Sequence, residues 1–115
     1  MGAFEFYKKN SYSHWDAQTG ITAANTSKIV YTPRTSTRIV LTNLQVASNV
    51  SGSVQVWFGG AANRKVFEAN LGASAFITPV ISGIESTALD AVLYAVVSNS
   101  SSNGWQIGAE GFELD

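Results

Sequence analysis

Cysteine is missing from this chain, histidine occurs once, and the charged residues make up 13% of it, about half the usual share of ~25%. Each shortage excludes something. Without cysteine there is no disulfide framework, thiolate zinc site or iron–sulfur cluster, though compartment stays open. The single His14, in "SHWD", has no second histidine or cysteine to complete a metal site, so no metal is expected. A Ser–His–Asp triad would have to use it, yet no serine sits in a G-x-S-x-G elbow. Glu68, Glu85, Asp90 and Glu110 qualify as a glycosidase pair by residue type alone. The loop "FGGAANRK" lacks the Ser/Thr after lysine, and the following helix, that a phosphate cradle needs. No enzyme class and no cofactor are supported.

Long apolar runs are also lacking. Nowhere do about 18 apolar residues follow one another, so no spanning helix and no membrane partner are expected. The start "MGAFEFYKKNSYSHWD" carries no leader pattern of basic residues followed by an apolar run, and Phe6 stands where a myristoylation signal wants Ser or Thr. The chain reads as soluble. A net charge of −1 argues against direct nucleic-acid binding. Three N-x-[ST] sequons, at Asn25, Asn49 and Asn99, fit chance in a sequence so rich in Asn, Ser and Thr.

What is present is a hydrophobic fraction of 45% in 115 residues, enough for one core and one domain. Ser, Thr, Asn and Gly fill the place of charge, giving a surface that solvates well but repels partners weakly. Residues 1–65 hold all seven basic side chains and a net of +5, and the remainder carries −6. Either the halves interleave and the field averages out, or two oppositely charged faces dock copies together. Residues 1–27 stand apart: Phe4, Phe6, Tyr7, Tyr12 and Trp15 crowd the first fifteen positions, and "DAQTGITAANTS" after them is turn-like. This segment is either the first strand or an extended N-terminal arm laid on a neighbouring subunit.

Residues 28–115 read as β throughout. "KIVYTP" is a short strand stopped by Pro33. "TRIVLTNLQVAS" places Val40, Thr42, Leu44 and Val46 on one face, while Ile39 and Leu41 point the other way, so its start is expected to be buried on both sides. "SVQVWF" turns Val54, Val56 and Phe58 inward and Gln55 and Trp57 outward. "KVFEANL" aligns Phe67, Ala69 and Leu71. "SAFITPVI" is an edge segment broken by Pro79. "ALDAVLYAVVS" puts Leu89, Ala91, Leu93, Ala95 and Val97 on one face and Val92, Tyr94 and Val96 on the other. "GWQIGAEGFELD" closes the chain with Trp105, Ile107 and Ala109 aligned, and Gly108 and Gly111 signal a bulge or a close backbone approach. Seven or eight short strands separated by Gly/Ser/Asn turns predict an all-β, two-sheet β-sandwich with jelly-roll topology.

An outward Trp57 allows three roles: burial in an interface, plain core or edge packing, or stacking on a sugar ring. The sugar role needs Trp57 and Trp105 to be exposed and close together.

The succession "TRIVLTNLQVAS", "GSVQVWFGG", "RKVFEANLGASAFITPVISGIES" and "ALDAVLYAVVSNSSSNGWQIGAEGFELD", with Gly111-Phe112-Glu113 as a closing "G-[YF]-E", resembles the small all-β virion proteins of tailed bacteriophages. The resemblance covers about 80 residues as a pattern of strand spacing and polarity. It implies a non-enzymatic capsid decoration (cement) protein, a trimer seated on a major capsid protein, in virions assembled in the host cytoplasm. The candidate interface is then Phe4, Phe6, Tyr7, Tyr12, Trp15, Trp57, Val92, Tyr94 and Val96. A carbohydrate- or receptor-binding β-sandwich of a tail, fibre or cell surface, with a glycan as ligand, is the alternative.

Overall fold

The computed structural model describes residues 13–59, 63–102 and 104–114. They form nine strands and no helix: β1 (Ser13–Ile21), β2 (Lys28–Tyr31), β3 (Arg38–Ser48), β4 (Gly52–Phe58), β5 (Arg64–Leu71), β6 (Ala75–Ile77), β7 (Ile84–Glu85), β8 (Leu93–Val97) and β9 (Trp105–Leu114). Phe4, Phe6, Tyr7 and Tyr12 lie outside the described residues.

The pairing is that of one long hairpin rolled up on itself. Its tip is the β4–β5 hairpin. Working outward, β3 pairs with β6 and β7, β2 with β8, and β1 with β9, all antiparallel. Two further ladders, β3–β9 and β4–β8, close the roll into two sheets. The first has the order β1-β9-β3-β6 with β7 also on β3, and the second β2-β8-β4-β5. This is the jelly-roll sandwich expected from the strand count. The short β6 and β7 share one edge of β3, at Val46–Ser48 and Val40–Leu41, because "ITPVIS" between them holds Pro79. A proline there cannot donate to the ladder, so the edge is split.

The core lies between the sheets. Ile39, Leu41, Leu44 and Val46 of β3, with Trp105, Ile107 and Ala109 of β9, pack toward Val54, Val56 and Phe58 of β4 and Leu93, Ala95 and Val97 of β8. Strand alternation predicted most of these positions, with three corrections. In β3 the inward residues are Ile39 and Leu41, then Leu44 and Val46, while Val40 and Thr42 are only half-buried on the outer side. A bulge between Leu41 and Asn43 shifts the register by one and changes which parity faces inward. The strand is therefore not buried on both sides. Second, "DAQTG" is strand, not turn: it lies inside β1, where small Ala17 and Thr19 sit half-buried. Third, Leu89 is not in the core row of β8. It precedes the strand in a turn where Asp90 has a positive φ, and it is 56% exposed. The two charged halves interleave: Arg34–Glu113, Arg38–Glu85 and Lys65–Glu68 each join a base from the first half to an acid from the second.

At one end of the roll the core is polar. Glu113, on the inward row of β9, is 2% exposed. It accepts from Tyr31 Oη (2.6 Å), the Arg34 backbone N–H (2.8 Å) and Arg34 Nε (2.6 Å). Burial by itself raises the Glu113 pKa, but the Tyr31 and Arg34 hydrogen bonds and the guanidinium charge outweigh it, and the carboxyl stays below its usual range. Tyr31 moves the opposite way: burial first, then the Glu113 hydrogen bond and charge, push it up to about 12. Tyr31 also stacks on Trp15, ring centroids 4.3 Å apart and 8° from parallel. Trp15 is buried, and its Nε1 donates to the Phe112 carbonyl at 3.2 Å. It is a core residue, so the expectation that it belongs to an interface is corrected.

Room for the Trp15 ring comes from Gly111, its partner across the β1–β9 ladder. A Cβ on Gly111 would run into the Val40 carbonyl oxygen and sit 3.2 Å from Trp15 Cζ2. The obstacle is backbone, which cannot give way cheaply. Gly111→Ala is therefore expected to lower unfolding free energy by about 2–3 kcal/mol in urea titration. Glu113→Gln keeps the shape but removes the charge, and is expected to cost about 2 kcal/mol at neutral pH. The pH dependence has two limbs. The stability Glu113 contributes is full above 4.5, its unperturbed value, and is lost as pH falls through the depressed folded value. The Tyr31 contribution is full below pH 10 and is lost as pH rises through about 12. Melting curves across pH are expected to show a smaller acid limb in Glu113→Gln, and an unchanged one would refute this assignment.

Candidate functional site

A sandwich has two outer faces, and here they differ in chemistry. The first sheet turns Asp16, Gln18, Asn43, Gln45, Gln106 and Glu110 outward. The second turns out apolar and aromatic residues beside Gln55, Lys65 and Glu68, and three of the apolar and aromatic ones fall in one row with Lys65 by register. Ile29 of β2 pairs with Tyr94 of β8, Tyr94 with Trp57 of β4, and Trp57 with Lys65 of β5. Directly paired antiparallel residues point to the same side of a sheet, so this row runs straight across the strands. Val92, just before β8, and Val96 within it flank the row, one on each side of Tyr94. Of the residues predicted for an interface, Trp57, Val92, Tyr94 and Val96 come together here. Ile29 and Lys65 complete the row and were missed, because residue alternation reports which face a side chain occupies but not which strand lies beside it. Ile29 is 54% exposed.

The centre of the row is held in place before any partner arrives. Trp57 and Tyr94 lie parallel, 4° apart, with centroids at 6.3 Å. Trp57 Nε1 donates to Gln55 Oε1 at 3.1 Å, and Gln55 Nε2 donates to Glu68 Oε2 at 2.8 Å. Lys65 Nζ donates to Glu68 Oε1 at 2.7 Å and lies 5.8 Å from the Trp57 ring centroid. These contacts form a closed circuit, indole to amide to carboxylate to ammonium and back to indole. Hydrogen bonds from Lys65, then Gln55, together with the ammonium charge, hold the Glu68 carboxyl below its ordinary range. A bulge at Val56–Trp57 skips Val66 of β5, which is what sets Lys65 opposite Trp57. Gly59 carries the ladder on, its N–H donating to the Val92 carbonyl at 2.8 Å. A Cβ there would press to within 3.1 Å of the Tyr94 ring.

The arrangement offers shape and apolar area, with hydrogen-bonding groups at one side. It holds no nucleophile beside a base, and no cluster of three or more metal-ligating side chains occurs among the described residues. His14 sits on the other outer face, its Nε2 3.3 Å from Glu110 Oε2 and its ring edge-on to Phe112. Trp105 is fully buried, with its Nε1 donating to the Asn99 carbonyl at 2.8 Å. Trp57 and Trp105 therefore share no exposed surface, and a two-tryptophan sugar platform is absent. No helix among the described residues is long and apolar enough to cross a membrane.

No family model matches the sequence, and no curated protein matches it. Among solved structures, the fold is similar to a chain from the work described as "Bacillus endospore appendages form a novel family of disulfide-linked pili". The superposition has a TM-score of 0.51 at 13% identity, covering 90% of this chain and 87% of that one. At that identity the likeness is one of fold alone.

Proposed function

We propose that this protein is a non-enzymatic structural subunit that assembles with copies of itself, using the outer face of the second sheet as its contact. The observation that carries the proposal is the row Ile29–Tyr94–Trp57–Lys65 with its locked indole. Aromatic residues fixed in one rotamer lose little freedom on binding, and such residues dominate protein interfaces. The fold's likeness to a pilus protein adds support, since that protein forms polymers. That pilus is disulfide-linked, whereas this chain has no cysteine, so its own junctions would be packing and hydrogen bonds alone. Residues 1–12, with Phe4, Phe6, Tyr7 and Tyr12, supply further aromatic area for a neighbour.

Within this class the finer placement is the surface of a virion assembled in the host cytoplasm, as a decoration protein in a closed ring on a major capsid protein. The resemblance of the chain's strand pattern to that of phage virion proteins, and the jelly-roll order, support this reading. The pilus likeness favours an open filament instead, and symmetry separates the two, since a closed ring has a fixed mass and a filament does not.

The test is the absolute mass of the full chain by light scattering, with negative-stain imaging of the same sample. A ring or a filament is expected. Trp57→Glu is expected to weaken self-association by about a hundredfold or more while leaving the far-UV circular dichroism unchanged. Deletion of residues 1–12, stopping short of β1, is expected to weaken it as well. A full chain that stays monomeric at millimolar concentration would refute self-assembly.

A further inference from the structure

We propose that the outer face of the first sheet is a binding site for a neutral oligosaccharide, centred on Gly108. Its starting point is a glycine that the fold does not require. Gly108 lies in the interior of β9, paired on both sides, with Gln18 of β1 across one ladder and Gln45 of β3 across the other. Glycine weakens a strand interior, and its presence there needs a cause. The neighbouring Gly111 has one, since a Cβ would strike the Val40 carbonyl, and Gly104 has a positive φ of 41°. At Gly108 φ is ordinary, and the nearest atom to an added Cβ is the Gln45 side-chain Oε1 at 3.4 Å, the far end of a flexible chain. The fold has room for a Cβ here, and what is left instead is bare backbone.

That backbone is the floor of a trough. Two adjoining depressions, about 190 and 130 Å³, share Gln18, Gln45 and Gly108. One extends to Asp16, Asn43 and Glu110, and the other to Gln106 and Phe76. The site is thus an open channel along the sheet face, suited to a ligand that is itself a chain.

The lining narrows the ligand class. Amides present donors and acceptors, and carboxylates present acceptors, which matches hydroxyl groups that both give and take. Glu110 is fixed by Asn43 Nδ2, which donates to its Oε1 at 2.9 Å, and this bond first of all, then His14, keeps the carboxyl below its ordinary range. Two carboxylates and no lysine or arginine line the trough, so an anionic ligand would be repelled. Phe76, 58% exposed on the edge strand β6, offers an apolar ring to the C–H face of a sugar. An extended peptide fits less well. β9 is paired on both edges, so the floor has no free backbone groups to add a strand to.

The test uses the full-length protein on an array of neutral glucans, mannans, galactans and N-acetylglucosamine oligomers, with sialylated glycans, extended peptides and calcium ion as competing probes. Capture on at least one neutral glycan is expected, followed by calorimetry with the matching soluble hexasaccharide. Gly108→Val fills the floor and is expected to weaken that binding by about tenfold or more, with melting temperature and oligomeric mass unchanged. The double variant Gln18→Ala/Gln45→Ala, which leaves the backbone as it is, is expected to do the same. Trp57→Glu is expected to leave glycan binding intact, so that failure of self-assembly and failure of this site register separately. Capture of no neutral glycan would overturn the proposal. So would capture of the acidic glycans, peptides or calcium in their place, or undiminished binding by both trough variants.

Discussion

Everything at the polar end of this roll depends on one missing side chain. Because Gly111 carries no Cβ, the Trp15 ring can lie over β9. Trp15 then stacks on Tyr31, Tyr31 donates to Glu113, and Glu113 draws in the segment carrying Arg34. The chain of contacts starts on β1, passes to β2, and returns to β9 and the β2–β3 connection. It thereby fastens the two sheets at a point where the apolar core has ended. A buried carboxylate is costly unless paired, and here both oxygens are taken: Oε2 by the Tyr31 hydroxyl and the Arg34 backbone N–H, Oε1 by the guanidinium.

With the inner rows committed to the core, function is left to the outer ones. The two outer faces are made by the same strand alternation yet carry different chemistry. One has indole, phenol and branched aliphatics around a locked circuit, and the other has amides and carboxylates around bare backbone. A molecule with two such different faces has a direction, and copies joined through the first, as proposed, would each present the amide- and carboxylate-lined trough of the second outward.

The parts of this design that alternation controls were legible from the residues. Val54, Val56 and Phe58, or Trp105, Ile107 and Ala109, declare their face because period two holds through each strand. The jelly-roll topology followed from the count of short strands and the turns between them. What failed did so for identifiable reasons. In β3 the bulge at Thr42 changes parity within one strand, so two correct half-patterns looked like a doubly buried start. In β1 the inward residues between Trp15 and Ile21 are Ala17 and Thr19, too small to announce a strand, and Asp, Gln and Gly around them resemble a turn. Trp15 looked like a free aromatic because its seat is made by residues 31 and 111. Gly108 and Gly111 were noticed together, but only the surroundings supplied by β1 and β3 tell a glycine the backbone demands from one it does not. Trp57 and Tyr94 were read as outward. That they form one row with Ile29 and Lys65 is a matter of register, which lies between strands and not within them.

The nested pairing also fixes when the aromatic face can exist. Its row is drawn from positions 29, 57, 65 and 94, on four strands, and two of the three junctions join residues far apart in sequence. The Trp57–Lys65 part lies within the β4–β5 hairpin, but Tyr94 and Ile29 join it only through long-range pairing, so no short segment contains the whole row. Topologies dominated by such long-range pairing fold slowly, because loop closure must precede the contacts that reward it. The complete row is thus a property of the finished fold alone, and any association through it waits on the long-range pairing of β2 with β8 and of β8 with β4.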